Sequence, residues 1–232
     1  MSEPLRIAAA VEGATDAIVV QAIIEALLPE TEFEFQTVQP ESSAAFGSTG
    51  TGWVGVYRWS RQTTMEGGGS FSGSSVVRFH DVVIVQIDAD VAGVTYASGS
   101  IIDSPRDDLP CEKSCPPPSA TTNQLRSVVL NWLGEKNVPT PLVFCMPSKS
   151  IETWVLAAIC PDNRMVKRAD WECRDNPESR LGTLPKAQRF AKTPADYRAR
   201  RVEIISNWAS VVSRLTEAAR FQKEFEDAVK DR

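Results

Sequence analysis

The chain has 232 residues, of which 42% are hydrophobic and 24% charged, and it carries a formal net charge of -5. That length allows one large domain, or a core with an appended helical part, and the composition is ordinary for a globular protein. The acidic balance excludes an overall basic footprint, although positive charge confined to one groove is compatible with it.

Residues 1–6 carry no apolar signal region, and no stretch nears the roughly 18 apolar residues of a membrane span. With five scattered cysteines, no C-x-x-C pair and a single histidine, a zinc site is not expected. The reading is a cytoplasmic protein with reduced thiols.

Leu5 to Val11 is an apolar strand candidate that runs into Glu12-Gly13-Ala14-Thr15-Asp16. Val20, Ile23, Ile24, Leu27 and Leu28 then follow helical spacing up to Pro29, so a strand, a glycine turn and a helix open a βαβ unit. Thr15 or Asp16 is placed to cap that helix. Gly13 lets the chain turn tightly and presents Glu12 at the strand's carboxyl end. Phe33, Phe35 and Thr37 alternate with polar residues and predict a short strand before Pro40.

From 41 to 75 the composition shifts to Gly, Ser and Thr, which reads as an inserted loop. No Gly-Lys-Ser/Thr follows, so it is not a phosphate loop. Within it, Trp53-Val54-Gly55-Val56-Tyr57-Arg58-Trp59 either packs the loop onto the sheet, the preferred reading, or offers stacking rings and a cation to unpaired bases.

Val82 to Ile87 is a run of β-branched residues with almost no polar interruption, the pattern of a strand buried on both faces of a parallel sheet. Asp88 and Asp90 follow it directly. Ligands bind outside the carboxyl ends of strands in open α/β sheets, and residues two apart in extended chain share a side. Two carboxylates so placed repel unless a cation lies between them, and magnesium supplies that charge to oxygen ligands.

Val91 to Ser119 reads as irregular chain, in which Asp103, Asp107 and Asp108 are solvated acids. Leu125, Val128, Val129, Trp132 and Leu133 predict a helix ending near Gly134. Leu142 to Met146 is the third buried strand, and beyond it stand Lys149 and an apolar helix, Ile151 to Cys160, bearing Glu152. The last seventy residues are locally basic, with Arg168, Arg174, Arg180, Lys186, Arg189 and Lys192 among their cations. This is either a solvated face or a track for a phosphate backbone. Helical patterning from about 195 to 229 is expected to break once, near Ser206 or Ser213.

The predicted fold is α/β, a mostly parallel Rossmannoid sheet flanked by helices. Residues 1–160 form its α/β core, the catalytic domain that the resemblance below implies, and a mainly helical extension covers 161–232. The order strand-Glu12-Gly13-helix, strand-Asp88-Ala89-Asp90, strand-Lys149-helix with Glu152 resembles the topoisomerase-primase (TOPRIM) catalytic domain. It is most similar to small stand-alone TOPRIM-like proteins of bacterial defence loci, related to the nuclease half of the overcoming-lysogenization-defect (OLD) family. Lys149 to Leu156 looks like the third conserved block of such proteins.

That resemblance implies a nuclease dependent on Mg2+ (or Mn2+), acting on DNA or RNA and paired with a separately encoded ATPase sensor. It implies Glu12 as general base or bridging ligand, Asp88 and Asp90 as main metal ligands, and Glu152 as a further ligand. Lys149, and more weakly Arg58, would offset charge on the scissile phosphate. A homo-oligomer is compatible with this reading. Two alternatives stay open, a non-catalytic scaffold subunit that docks the ATPase and a metal-dependent nucleotide hydrolase.

Overall fold

A computed structural model describes residues 3–40, 50–102, 104, 106–184 and 189–230. Residues 41–49 of the expected insertion, Asp103 and Lys186 lie outside the described residues. Four strands, β1 (Leu5–Ala10), β2 (Phe33–Gln39), β3 (Val82–Gln86) and β4 (Leu142–Cys145), form one all-parallel sheet in the order β2-β1-β3-β4. Every residue of β3 and β4 is buried, whereas β2 alternates along an edge. Side chains divide by parity between two cores. Ile7, Ala9, Val82, Ile84 and Val143 face one, and Ala8, Ala10, Val83, Val85 and Phe144 face the other.

The helices are α1 (Ala14–Leu27), α2 (Gly52–Glu66), α3 (Ser75–Phe79), α4 (Ser119–Trp132), α5 (Glu152–Ile159), α6 (Pro194–Ala199), α7 (Arg201–Val212) and α8 (Thr216–Lys230). The first core takes α1, α5, α7 and α8, and the second takes α2 and α4. After β1 the chain returns through α1 to β2 on one side. It then reaches β3 on the other side of β1 and continues through α4, on the opposite face, to β4. The winding therefore reverses between β1 and β3, and the crevice outside their carboxyl ends is the switch point where such sheets bind ligands. Ala10 pairs with Val85, so Glu12 and Asp88 leave the sheet side by side.

Most of the predicted elements form. The C-terminal pattern breaks between Val212 and Thr216, near Ser213. These last helices close the first core, with Trp154 stacked on Phe221 and edge-on to Trp208. On the far side Arg126 of α4 lies over Phe144 at 4.7 Å and reaches both oxygens of Glu224 on α8 at 2.7 Å. No helix among the described residues is long and apolar enough to cross a membrane.

Two expectations are corrected. The stretch from Gly52 to Glu66 is a helix, not a loop. Its buried face mixes Val56, Tyr57 and Trp59 with Ser60, Thr63 and Thr64. Ser60 Oγ donates to the Val56 carbonyl and Thr64 Oγ1 to the Ser60 carbonyl, each at 2.8 Å. Such back-bonding satisfies hydroxyls that composition alone assigns to a loop. The aromatic residues pack inward, Tyr57 5.3 Å from Trp132 and Trp59 6.4 Å from Phe71, so they are not a stacking platform.

The second correction concerns the thiols. Cys115 and Cys173 form a disulfide, Cα atoms 5.5 Å apart, while Cys111, Cys145 and Cys160 are in no disulfide among the described residues. The two partners are 58 residues apart in sequence and meet because the segments after β3 and after α5 both cross the carboxyl end of the sheet.

Gly55 allows α2 to approach the end of β2. A Cβ there would collide with Gln39 Nε2 and stand 2.6 Å from the Gly50 carbonyl oxygen, which Gln39 holds at 2.9 Å. Gly55→Ala should therefore cost about 1–3 kcal/mol, the usual effect of overpacking. A calorimetric melting temperature equal to wild type would refute that.

Candidate functional site

Glu12 is the second residue past β1. Its N–H donates to Gln86 Oε1 at 3.0 Å, and its Oε1 accepts the Asp88 N–H at 2.8 Å. Gln86, the last residue of β3 and wholly buried, also donates from Nε2 to Asp88 Oδ1 at 2.9 Å. The same Oδ1 accepts the Ile151 N–H at 3.0 Å, just before α5. One glutamine and three backbone N–H groups thus fix the strand ends to each other and to the start of α5. Asp90 lies at the exposed rim, its N–H bonded to the Lys149 carbonyl at 3.1 Å.

Two further carboxylates enter from helix starts. Glu152, in the first turn of α5, is fully buried. Its Oε1 accepts Tyr197 Oη at 2.6 Å and Lys192 Nζ at 3.0 Å, whereas its Oε2 has no hydrogen-bond partner. Asp16, in the first turn of α1, is also buried, and Thr15 Oγ1 donates to its Oδ2 at 3.3 Å. A Cβ on Gly13 would stand 3.0 Å from that Oδ2, so the glycine after Glu12 keeps space beside Asp16.

Burial makes these charges costly. Glu12 is pushed up to about 8, chiefly by desolvation, with the Asp88 N–H opposing and Asp16 and Asp90 adding repulsion. Asp16 rises to about 6 through desolvation and then the charge of Glu152. Desolvation raises Asp88 well above the carboxylate range, and Glu12, Asp16, Glu152 and Asp90 add to it. Asp90 is raised by desolvation and by Glu178. Desolvation disfavours the Lys192 ammonium, but Glu152, Asp16 and Asp88 outweigh it and hold its pKa above the ordinary lysine value.

The sheet edge thus brings together Glu12, Asp88, Asp90 and Glu152, as their places after strands suggest. The Lys149 backbone adjoins Asp90, but its ammonium is held elsewhere, between Glu112 at 3.1 Å and Asp175 at 2.8 Å. Arg58 is on α2, and its Nη1 lies 3.5 Å from where a Cβ on Gly50 would stand. Two residues on, Gly52 donates to the Glu12 carbonyl at 2.8 Å. Asp16 and Tyr197 were assigned no site role by sequence reasoning, and Lys192 stood only among the cations of the basic stretch. Only Asp16 left a signal, a carboxylate one helical turn after Glu12. As they stand, no three His, Cys, Asp or Glu side chains among the described residues form a ready metal-holding group. No protein-family model, no curated protein and no solved structure matches the chain.

Proposed function

We propose that the chain is a divalent-metal-dependent nuclease that cleaves phosphodiester bonds in DNA or RNA, with a TOPRIM-like arrangement of carboxylates. The observation that carries the reading is the convergence of Glu12, Asp16, Asp88 and Glu152 at the switch point of the sheet, with Asp16, Asp88 and Glu152 buried and the charged forms of Glu12, Asp16 and Asp88 disfavoured by desolvation. In that setting an added positive charge is the natural complement.

The donor set fits a hard ion. It is all oxygen, the preference of magnesium and manganese, and Glu152 Oε2 is buried and unpartnered. Glu12, Asp16, Asp88 and Glu152 would hold the ion, with Asp90 at the rim. When bound, such an ion supplies Lewis acidity and lowers the pKa of a bound water.

The remaining roles belong to the chain. Glu12 Oε1 is engaged by the Asp88 N–H, which leaves Oε2 as the proton acceptor for the attacking water. A carboxyl near 8 exchanges a proton readily close to neutral pH. Tyr197 and Lys192 hold Glu152 in place, and Lys192 brings the positive charge that draws a phosphodiester toward an acidic cleft. A role as the effector of an anti-phage system, with a separately encoded ATPase, belongs to the same proposal and draws on the family resemblance.

The test is cleavage of end-labelled DNA and RNA with Mg2+, Mn2+ or EDTA. Asp88→Asn keeps an oxygen for Gln86 and Ile151 but loses the charge, and should lower metal-dependent cleavage on the order of 100-fold. Cleavage by this variant at the wild-type rate would overturn the assignment.

A further inference from the structure

A second feature lies beside the carboxylates, in the segment that follows α5. A cavity of about 640 Å3 opens against Arg168, Arg174, Arg180, Met165, Pro116 and Pro177, with the Cys115–Cys173 disulfide in its wall. We propose that this cavity is a subsite for the sugar-phosphate backbone of a nucleic-acid strand that extends beyond the carboxylate centre. The proposal rests on the nuclease reading and adds to it the course of the strand beyond the point of cleavage.

Three observations carry it. The first is position. Glu178, in the 3-10 turn Pro177–Thr183 beside the cavity, is the charge that most raises Asp90, so cavity and carboxylates are neighbours. Lys149 joins them as well, since its carbonyl accepts the Asp90 N–H while its ammonium pairs with Asp175 in the cavity wall.

The second is charge. Arg168 and Arg174 share a single carboxylate, Asp170, at 2.8 and 2.7 Å. Asp175 is paired with Lys149, and the exposed Arg180 makes no salt bridge among the described residues. A guanidinium has five donors, so two arginines on one carboxylate retain donors for phosphate oxygens. Met165, Pro116 and Pro177 give the sugar an apolar surface.

The third is preorganisation. The disulfide fixes residue 115 to residue 173, and Lys149 bridges Glu112 to Asp175 on either side of it. Walls held in this way lose little entropy on binding.

The experiment is fluorescence anisotropy of labelled single-stranded and duplex oligonucleotides in EDTA, so that nothing is cut, over a range of salt. The variants are Arg180→Glu, Arg174→Ser with Arg180→Ser, and Asp88→Asn. Arg180 is exposed, and its replacement leaves the fold intact. The double variant should weaken binding roughly tenfold and reduce the slope of log K against log salt by about 1.4–1.8, the release expected for two phosphate contacts. Arg180→Glu should weaken binding at least as much as the loss of one contact, and Asp88→Asn should not weaken it.

Wild-type affinity and salt slope in both arginine variants, or no oligonucleotide binding by the wild type, would overturn the proposal. Its failure is separate from that of the nuclease reading. Loss of binding in the arginine variants with unchanged cleavage by Asp88→Asn rejects the catalytic assignment and keeps the subsite. The reverse pattern rejects the subsite alone.

Discussion

Stripped of divalent metal by EDTA, the protein is expected to lose stability as the pH rises from about 5 to 8, and added Mg2+ or Mn2+ should restore it most at the upper end. The sign follows from the direction of the shifts. Glu12 moves from 4.5 to about 8 on folding and Asp16 from 3.8 to about 6, so the folded state binds these protons more tightly than the unfolded chain. Below the unfolded values both states are protonated and nothing is lost. Between the two values, each group removes about 1.4 kcal/mol per pH unit as the pH rises, and above the folded value the loss is complete.

The groups facing one another there are Glu12, Asp16, Asp88, Asp90 and Glu152, with Lys192 and Tyr197. Lys192 keeps its charge throughout this window because its pKa is held above the ordinary lysine value. Metal binds ionised ligands, so its stabilisation grows with pH. Asp88→Asn should flatten the profile, melt above wild type at pH 8 in EDTA, and lose the response to metal. A wild-type melting temperature constant from pH 5 to 8, or a response to metal unchanged in Asp88→Asn, would refute the electrostatic account of the site.

Removal of the Cys115–Cys173 disulfide should have an effect of similar size. Closing a loop of 58 residues restricts the unfolded chain by about 4 kcal/mol in the chain-entropy model, and native bridges commonly contribute about 2–4 kcal/mol. For a domain of this size that corresponds to a fall of roughly 10 °C in the melting temperature. It should appear both on addition of a reductant and in the variant Cys115→Ser with Cys173→Ser, which should no longer respond to reductant. Coincident melting curves for the oxidised, reduced and double-serine proteins would show that packing of the two segments, not the crosslink, holds them together.

What could be read from the sequence follows from how local each feature is. β3 was legible because Val82 to Val85 and Ile87 put β-branched residues on both faces, a pattern with few other solutions. α1 and α4 were legible from their apolar spacing. α2 was not, since its buried face uses Ser60, Thr63 and Thr64, whose hydroxyls are satisfied only once the helix exists. In the site, Glu12, Asp88 and Glu152 stand beside strand ends and could be found there. Lys149 occupies an equivalent position, but adjacency to a strand does not fix the direction of a long side chain, and two remote acids, Glu112 and Asp175, capture it. Lys192 lies forty positions past Glu152 and Tyr197 forty-five, so their arrival depends on α6 and α7 packing against α1 and α5, a tertiary event with no local pattern. The cysteine pair was missed for the same reason.

The placement of the last helices also bears on how the protein is made. α7 and α8 close the core that β1, β3 and β4 share with α1 and α5, and the chain just before them delivers Lys192 and Tyr197 to Glu152. A nascent chain that has released only its first 160 residues from the ribosome has α1 and α5 to cover that face of the sheet but lacks α7 and α8, and leaves Glu152 without its two partners. Under the function proposed above, synthesis itself would then hold back the activity, because Glu152 gains its two partners only after residues 192 and 197 have emerged.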